Sequence, residues 1–183
     1  MIKTAAIFNK PEMKITYQIG LTKFEAEDFE LYYLLVGNEQ VMQMITERAL
    51  LLSEARERYD TVLRKNELHP VLGYYKITEK KSGSFIGLAK MEILTKDASE
   101  TELGYMLLPE YWGKGIGSTV AKKLMDYAFA EKTTKKITAI IDPKNTASRK
   151  ILINNGFVSE KTEIVNGLQE EFLGFTVASE NIG

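Results

Sequence analysis

Apolar side chains follow two different spacings along the chain, and each spacing predicts a local structure. Every second position is apolar over 15–21, which is the pattern of a half-buried strand. From Phe24 the spacing becomes helical until Gly37-Asn38, and a second, highly charged helix is predicted over 53–67. Residues 39–52 fit either a short helix or an ordered loop. Further strands are predicted over 71–78, 84–94, 101–108, 137–141, 157–164 and 168–177.

Two more helices are predicted in the second half of the chain. Residues 115–130 carry an apolar side chain at every fourth position, which is typical of an amphipathic helix. A shorter helix is predicted over 145–154, with Asn145 as its N-cap residue and Gly156 at its C-terminal end. The dipeptide Asn166-Gly167 predicts a two-residue hairpin turn between the last two strands.

The order of these elements predicts the fold class. Strand pairs joined by short turns surround one strand–helix–strand unit over 101–141. This order predicts a mixed, mostly antiparallel α+β sheet of about seven strands with about four helices. We expect residues 1–183 to form a single domain, because a chain of this length can bury one sizeable core.

Composition excludes several classes of function. The chain has 24 basic and 25 acidic residues, so no excess of positive charge favours nucleic acid or a membrane surface as a partner. It has no cysteine, which excludes disulfides, a thiol nucleophile and cysteine-based zinc sites. No apolar run is long enough for a signal peptide or a membrane span, so we expect a cytoplasmic protein. We also expect no metal cofactor.

The stretch from Glu102 to Ser118 is the most informative part of the sequence. An apolar strand leads through a turn into three glycines, Gly113, Gly115 and Gly117, at the start of a helix. Glycine lets backbone N–H groups converge, and a helix N-terminus adds unpaired donors, so this loop can hold a phosphate or diphosphate. A glycine-rich turn without a ligand is the alternative.

The glycine spacing does not fit the common nucleotide-binding loops. A P-loop requires four residues between its glycines and then Gly-Lys-Ser/Thr, which is absent here. The dinucleotide fingerprint requires Gly-x-Gly-x-x-Gly directly after a strand, whereas this loop reads Gly-x-Gly-x-Gly five residues later. No kinase catalytic loop accompanies it.

Two further motifs complete a recognisable set. Glu102-Leu-Gly-Tyr105 opens the central strand, and Asn145-x-x-Ser148 begins the last helix, which ends in Asn155-Gly-Phe157. Together with Trp112–Ser118, these resemble the GNAT superfamily of N-acetyltransferases. They are most similar to its ribosomal-protein N-terminal (alanine/serine) acetyltransferase branch, in which Trp112 stands in place of the usual Gln or Arg.

The resemblance implies a splayed central strand and acetyl-CoA as co-substrate. The backbone of the glycine loop would hold the CoA diphosphate, and the pantetheine arm would lie along the central strand. Asn145 would bind the arm, and Lys150 is preferred over other basic side chains for the 3′-phosphate. The cofactor-binding residues expected on this basis are Met106, Leu107, Leu108, Trp112, Gly113, Lys114, Gly115, Ile116, Gly117, Ser118, Asn145, Ser148 and Lys150.

The resemblance also implies the catalytic groups for direct attack of an amine through a tetrahedral intermediate. The backbone N–H of Leu107 would stabilise the oxyanion. Glu102, on the same strand face as Gly104 and Met106, would take the proton of the amine, with Glu92 as the alternative. Many relatives use a tyrosine as acid at the position of Leu152, so Ser148 is expected to replace it; a helix cap is its structural alternative.

The identity of the acceptor stays open. A protein N-terminus or a small-molecule amine fits the chemistry, and Tyr32, Tyr33, Met42 and Met44 belong either to its pocket or to the core. A non-catalytic acyl-CoA-binding module on the same fold is the alternative function, and a domain with an accidental glycine turn is the third. An exposed sheet edge near the last strands would suit a homodimer.

Overall fold

The computed structural model describes residues 17–177. Its elements are β1 (Ile19–Lys23), α1 (Phe29–Val36), α2 (Glu39–Met42), α3 (Leu52–Glu67), β2 (Gly73–Glu79), β3 (Phe85–Glu92), β4 (Glu100–Leu107), α4 (Ile116–Ala130), β5 (Lys136–Ile141), α5 (Thr146–Asn154), β6 (Val158–Val165) and β7 (Leu168–Thr176). Every strand and helix predicted from the sequence is present. The first two residues of the predicted strand 15–21 lie outside the described residues.

The strands form one seven-stranded sheet in the order β1-β2-β3-β4-β5-β7-β6. Every pairing is antiparallel except that of β4 with β5, which is parallel. The parallel pair arises because α4 crosses over between its strands and returns the chain in the same direction. The α+β fold class expected from the sequence is confirmed.

The sheet buries a separate apolar cluster on each face. The side chains of α4 that repeat every fourth residue are all buried on one face, with Ile137 and Leu173 of the sheet. Phe29 of α1 and Tyr59 of α3 belong to the cluster on the other face. This two-sided arrangement covers the centre of the sheet, as the alternation of side chains along a strand requires.

The central strands separate after a short contact. Residues 100–102 of β4 pair with residues 136–138 of β5, and no pairing continues beyond them. Residues 103–107 of β4 remain bonded to β3, whereas 139–141 of β5 remain bonded to β7. The splayed central strand that the resemblance implied is therefore present, and it leaves an open gap in the middle of the sheet.

The local signals at the ends of elements also hold. The Asn145 side chain accepts a hydrogen bond from the backbone N–H of Ser148, 3.1 Å away, so the predicted N-cap of α5 is confirmed. Asn166 and Gly167 both have positive φ angles, as a tight hairpin turn requires. The ambiguous residues 39–52 contain the short helix α2 followed by turns. No helix within 17–177 is long and apolar enough to cross a membrane.

Candidate active site

A cavity of about 870 Å³ opens at the gap between β4 and β5. One wall consists of these two strands and the N-terminal end of α5, and the other wall comes from α1, the segment 40–47 and α3. Its volume is in the range of small-molecule sites. The acceptor wall, as we call the second wall, consists of Tyr32, Val36, Gln40, Val41, Met42, Gln43, Met44, Ile45, Glu47, Arg58, Thr61 and Val62.

The register of β4 determines which backbone groups face this gap. The N–H of Leu108 donates to the carbonyl of Ile86 at 2.9 Å, and Leu107 lies opposite Gly87. In an antiparallel ladder this makes Leu107 a non-hydrogen-bonded position, so its N–H and C=O point away from β3 and into the gap. Two residues earlier, Tyr105 has the same orientation.

The same register corrects two of the expected backbone contacts. The N–H of Leu108 is already bonded to Ile86, and its carbonyl accepts the N–H of Tyr111 at 2.9 Å. The backbone groups of Met106 alternate with those of Leu107 and point towards β3. Neighbouring residues on a strand cannot all present their backbone to one ligand, so only Leu107 of the three retains that expected contact.

Trp112 lies at the edge of the gap. Its indole N–H donates to the carbonyl of Leu107 at 2.8 Å, and its side chain lines the cavity. This contact uses the carbonyl of Leu107 and leaves the N–H of the same residue facing the gap. Trp112 therefore both fixes the turn after β4 and borders the site.

The glycine loop begins just beyond this strand. Gly113 and Gly115 have φ angles of +71° and +76°, and a Cβ at either position would meet no atom within 4 Å. The first hydrogen bond at the start of α4 runs from the N–H of Thr119 to the carbonyl of Gly115, so the N–H groups of 116–118 have no acceptor within the helix. This open turn with unpaired donors fits a diphosphate.

An ion-pair network lies on the sheet beneath the acceptor wall. The ammonium of Lys90 is 2.8 Å from Oε1 of Glu102 and 3.1 Å from Oε2 of Glu92. Glu92 also accepts the Tyr74 hydroxyl at 2.5 Å and pairs with Lys65 at 3.1 Å. Lys90, Glu102 and Tyr74 line the cavity. Two lysines and two glutamates thus form a group without net charge.

The pKa shifts in this network follow from its pairing. Burial alone would raise the pKa of Glu92, but the Lys90 ammonium and the Tyr74 hydrogen bond outweigh it and lower that pKa to about 2. Burial lowers the pKa of Lys90, yet the carboxylates of Glu102 and Glu92 outweigh that effect and raise it. Gly104 makes the pairing possible, since a Cβ there would lie 2.9 Å from Cε of Lys90.

A pair of hydroxyl groups lies where α5 meets β4. The hydroxyl oxygens of Tyr105 and Ser148 are 3.5 Å apart, which is long for a direct hydrogen bond, and both side chains line the cavity. Burial raises the pKa of Tyr105, and the contact with Ser148 only partly opposes it. The Tyr105 hydroxyl therefore keeps its proton at neutral pH.

The structure brings together some of the expected site residues and leaves others outside the cavity. Those that line it are Glu102, Met106, Leu107, Trp112, Asn145 and Ser148. Those that do not are Leu108, Gly113, Lys114, Gly115, Ile116, Gly117, Ser118 and Lys150. In the glycine loop, 113–115 and Ser118 are exposed whereas Ile116 and Gly117 are buried, and Lys150 is an exposed residue of α5. Their binding roles stay predictions.

Other candidate side chains have structural partners. Arg149 pairs with the buried Glu171 at 2.9 Å, so its charge is not free for a phosphate. His69 accepts the backbone N–H groups of Val71 and Leu72 on Nδ1, which is a structural role. Among the residues described here, no group of three or more His, Asp or Glu could hold a metal ion.

Sequence reasoning missed Lys90 and Tyr105. The spacing Lys90-Met-Glu92 places both charges on one strand face, and pairing with Glu102 on the next strand could have been tested in an antiparallel register. Tyr105 was noted as part of a motif, but nothing in the sequence gives its distance from Ser148.

Comparison with known proteins identifies the class. The family model of the acetyltransferase (GNAT) domain matches residues 18–158. N-acetyltransferase p20 of Bacillus licheniformis, which is described as uncharacterized, is 27% identical over 81% of this chain and 84% of its own length. The chain is therefore an N-acetyltransferase, a class of acyltransferase enzymes. It belongs to the GNAT family, as the motifs implied.

Solved structures share the fold. The spermidine N-acetyltransferase of Vibrio cholerae in complex with CoA and spermine has a TM-score of 0.72 and 20% identity, and the match covers 87% of this chain and 95% of that one. RimL, a ribosomal alpha-N-protein acetyltransferase in complex with coenzyme A, has a TM-score of 0.72 and 16% identity over 87% and 94% of the two chains.

Proposed function

We propose that this protein, as a single domain over residues 1–183, transfers an acetyl group from acetyl-CoA to a primary amine by direct attack. The observation that carries the proposal is the open edge of β4. There the N–H of Leu107 faces the gap, and the unpaired N–H groups of 116–118 lie beyond its end. CoA in the complexes of the Vibrio cholerae protein and of RimL supports the choice of co-substrate.

The residues that would hold acetyl-CoA follow the gap from end to end. The N–H groups of Lys114–Ser118 bind the diphosphate, which needs no side-chain charge. The backbone of Tyr105 and Leu107 pairs with the amide groups of the pantetheine arm. Asn145 uses its Oδ1 for the helix cap, so its side-chain NH₂ remains to donate to the arm.

The chain's own groups then carry the protons. Acetyl-CoA supplies the acetyl group as a thioester: the N–C bond forms first and gives a tetrahedral intermediate, and the C–S bond breaks when this intermediate collapses. The N–H of Leu107 donates to the oxygen on which negative charge develops. Oε1 of Glu102 is bound to Lys90, and Oε2 accepts the proton that the amine loses, directly or through water. Ser148, beside Tyr105, donates a proton to the departing sulfur, and water returns the proton held by Glu102 to Ser148.

The acceptor reaches the site past the acceptor wall. That wall is mainly apolar and lies opposite Glu102, so a small-molecule amine or the N-terminus of a peptide can approach from this side. Because the Vibrio cholerae protein was solved with spermine, polyamines belong in the panel of amines to be tested. A homodimer through the exposed edge strand β6 also stays a prediction.

The proposal is tested by the release of CoA thiol from acetyl-CoA in the presence of amino acid amides, peptides, simple alkylamines and polyamines. We expect turnover with at least one group, and a large loss of kcat in Glu102→Gln. Glu163→Gln is the matched control, because Glu163 pairs with Lys161 on β6, outside the cavity. CoA binding without turnover on any amine would favour the non-catalytic module instead.

A further inference from the structure

The charges that face Lys90 come from every element packed around it. Glu92 lies two residues along its own strand, and Glu102 faces it from β4. Tyr74 of β2 and Lys65 of α3 complete the group through their contacts with Glu92. Each carboxylate therefore already has a lysine partner, and the group offers no net negative charge to an incoming cation.

The pairing of both carboxylates with lysines disfavours the binding of a positively charged amine near β4. The amine must come close to β4, because it attacks the thioester carbonyl, and the oxygen of that carbonyl would lie at the N–H of Leu107. An ammonium at that point would meet the ammonium of Lys90, which is still 23% exposed. It would also lose its water against Met42 and Met44 of the acceptor wall, and the only cavity-lining carboxylate of β3 and β4, that of Glu102, is already paired with Lys90.

The remaining charged groups of the cavity do not change this balance at β4. They are carried by α3, by the turn after α2, by the segment after β5 and by β7. None of them belongs to β3 or β4. The acidic ones are Glu47, Asp142 and Glu170, and the basic ones are Arg58 and Lys144.

We propose that Lys90 is a specificity-determining residue that restricts this acetyltransferase to weakly basic amines, which arrive uncharged. The inference rests on the proposed function. An α-amino group titrates near 8, whereas an alkylamine like that of lysine titrates near 10.4. At about pH 7.5 the uncharged fraction of an α-amino group is roughly 200-fold larger than that of an alkylamine. An enzyme that accepts only the neutral form should therefore prefer the α-amino group in kcat/KM by a factor of that order.

Two amines that differ only by one carboxamide group test the proposal. Leucinamide carries an α-amino group, and 3-methylbutylamine is the same molecule without its carboxamide. We expect the wild type to prefer leucinamide in kcat/KM by about 200-fold at neutral pH. In Lys90→Met the carboxylate of Glu102 becomes free to bind an ammonium, so the preference should fall by about ten-fold or more. Lys161→Met removes an equal charge on β6 and should leave the preference unchanged.

A measurement on the wild type alone guards against poor folding of Lys90→Met. Its kcat/KM for 3-methylbutylamine should rise about ten-fold per pH unit between pH 7 and 9, following the uncharged amine. A flat profile, or an unchanged preference in folded Lys90→Met, overturns the role of Lys90 while the acetyltransferase function stands. Turnover with no amine at all would overturn the proposed function, and this inference with it.

Discussion

Replacement of Gly115 by alanine separates the cost to the fold from the cost to cofactor binding. Gly115 has a φ of +76°, and a Cβ there would meet no atom within 4 Å. The only cost to the folded chain is therefore the left-handed backbone, about 1 kcal/mol for alanine. For a chain of this size that cost lowers the melting temperature by about 2–4 °C.

The cost to CoA binding should be much larger. The added methyl group would stand in open space at the start of α4, the end of the helix at which the N–H groups of 116–118 have no acceptor within the helix. Loss of one hydrogen bond from these groups to a charged phosphate costs about 1.5–3 kcal/mol, which corresponds to about ten- to hundred-fold weaker binding. Titration calorimetry with CoA measures this change directly.

Gly83 provides a matched control. It has a φ of +75° and equally empty surroundings, but it lies in the turn between β2 and β3. Gly83→Ala should lower the melting temperature as much as Gly115→Ala and leave CoA affinity unchanged. Equal CoA affinity in the two variants would refute the assignment of the diphosphate to the glycine loop.

Three further outcomes are expected. Glu92→Gln should destabilise the protein by roughly 3 kcal/mol near neutral pH. The pKa of Glu92 is about 2 in the folded protein and lies below the unfolded value, so this stability is present above about pH 4.3 and is lost as the pH falls towards 2. Urea unfolding at a series of pH values measures this loss. The control variant Glu163→Gln should cost under about 1 kcal/mol. Tyr105→Phe and Ser148→Ala should each lower kcat more than they change the KM for acetyl-CoA, and the kcat of the double variant should be little lower than that of either single variant. If the steady-state kcat of the double variant falls by the product of the two single losses, the two hydroxyl groups do not share one role. Lys23→Met removes three hydrogen bonds to backbone carbonyls, one in the last turn of α3 and two in the segment after it, and should cost about 2–3 kcal/mol by thermal unfolding. An unchanged melting temperature would show that water replaces them.

Much of the fold could be predicted because its signals are local. The four-residue repeat of α4, the cap at Asn145 and the turn at Asn166-Gly167 depend on neighbours within a few positions. The same holds for the glycine loop, whose open backbone follows from residue types alone. The family could be identified for the same reason, since its motifs are short and keep their order.

The ion pair of Glu102 illustrates what could not be predicted. Its position on the cavity face followed from strand alternation, but its partner Lys90 is twelve residues away on another strand. Only the register of β3 against β4 brings the two together, and a shift of one residue would turn Lys90 to the other face. The expected backbone contacts of Met106 and Leu108 were lost for the same reason.

The sequence by itself thus determined the elements, the open backbone of the glycine loop and the membership of the GNAT family, because these depend on residue types at short spacing. The motifs implied a splayed central strand, but only the tertiary structure decided that β4 parts from β5 after residue 102, which backbone groups of β4 are bonded to β3, and that Lys90 pairs with Glu102. These features depend on pairing between distant strands, where packing across the whole sheet selects one register among several that the local pattern allows.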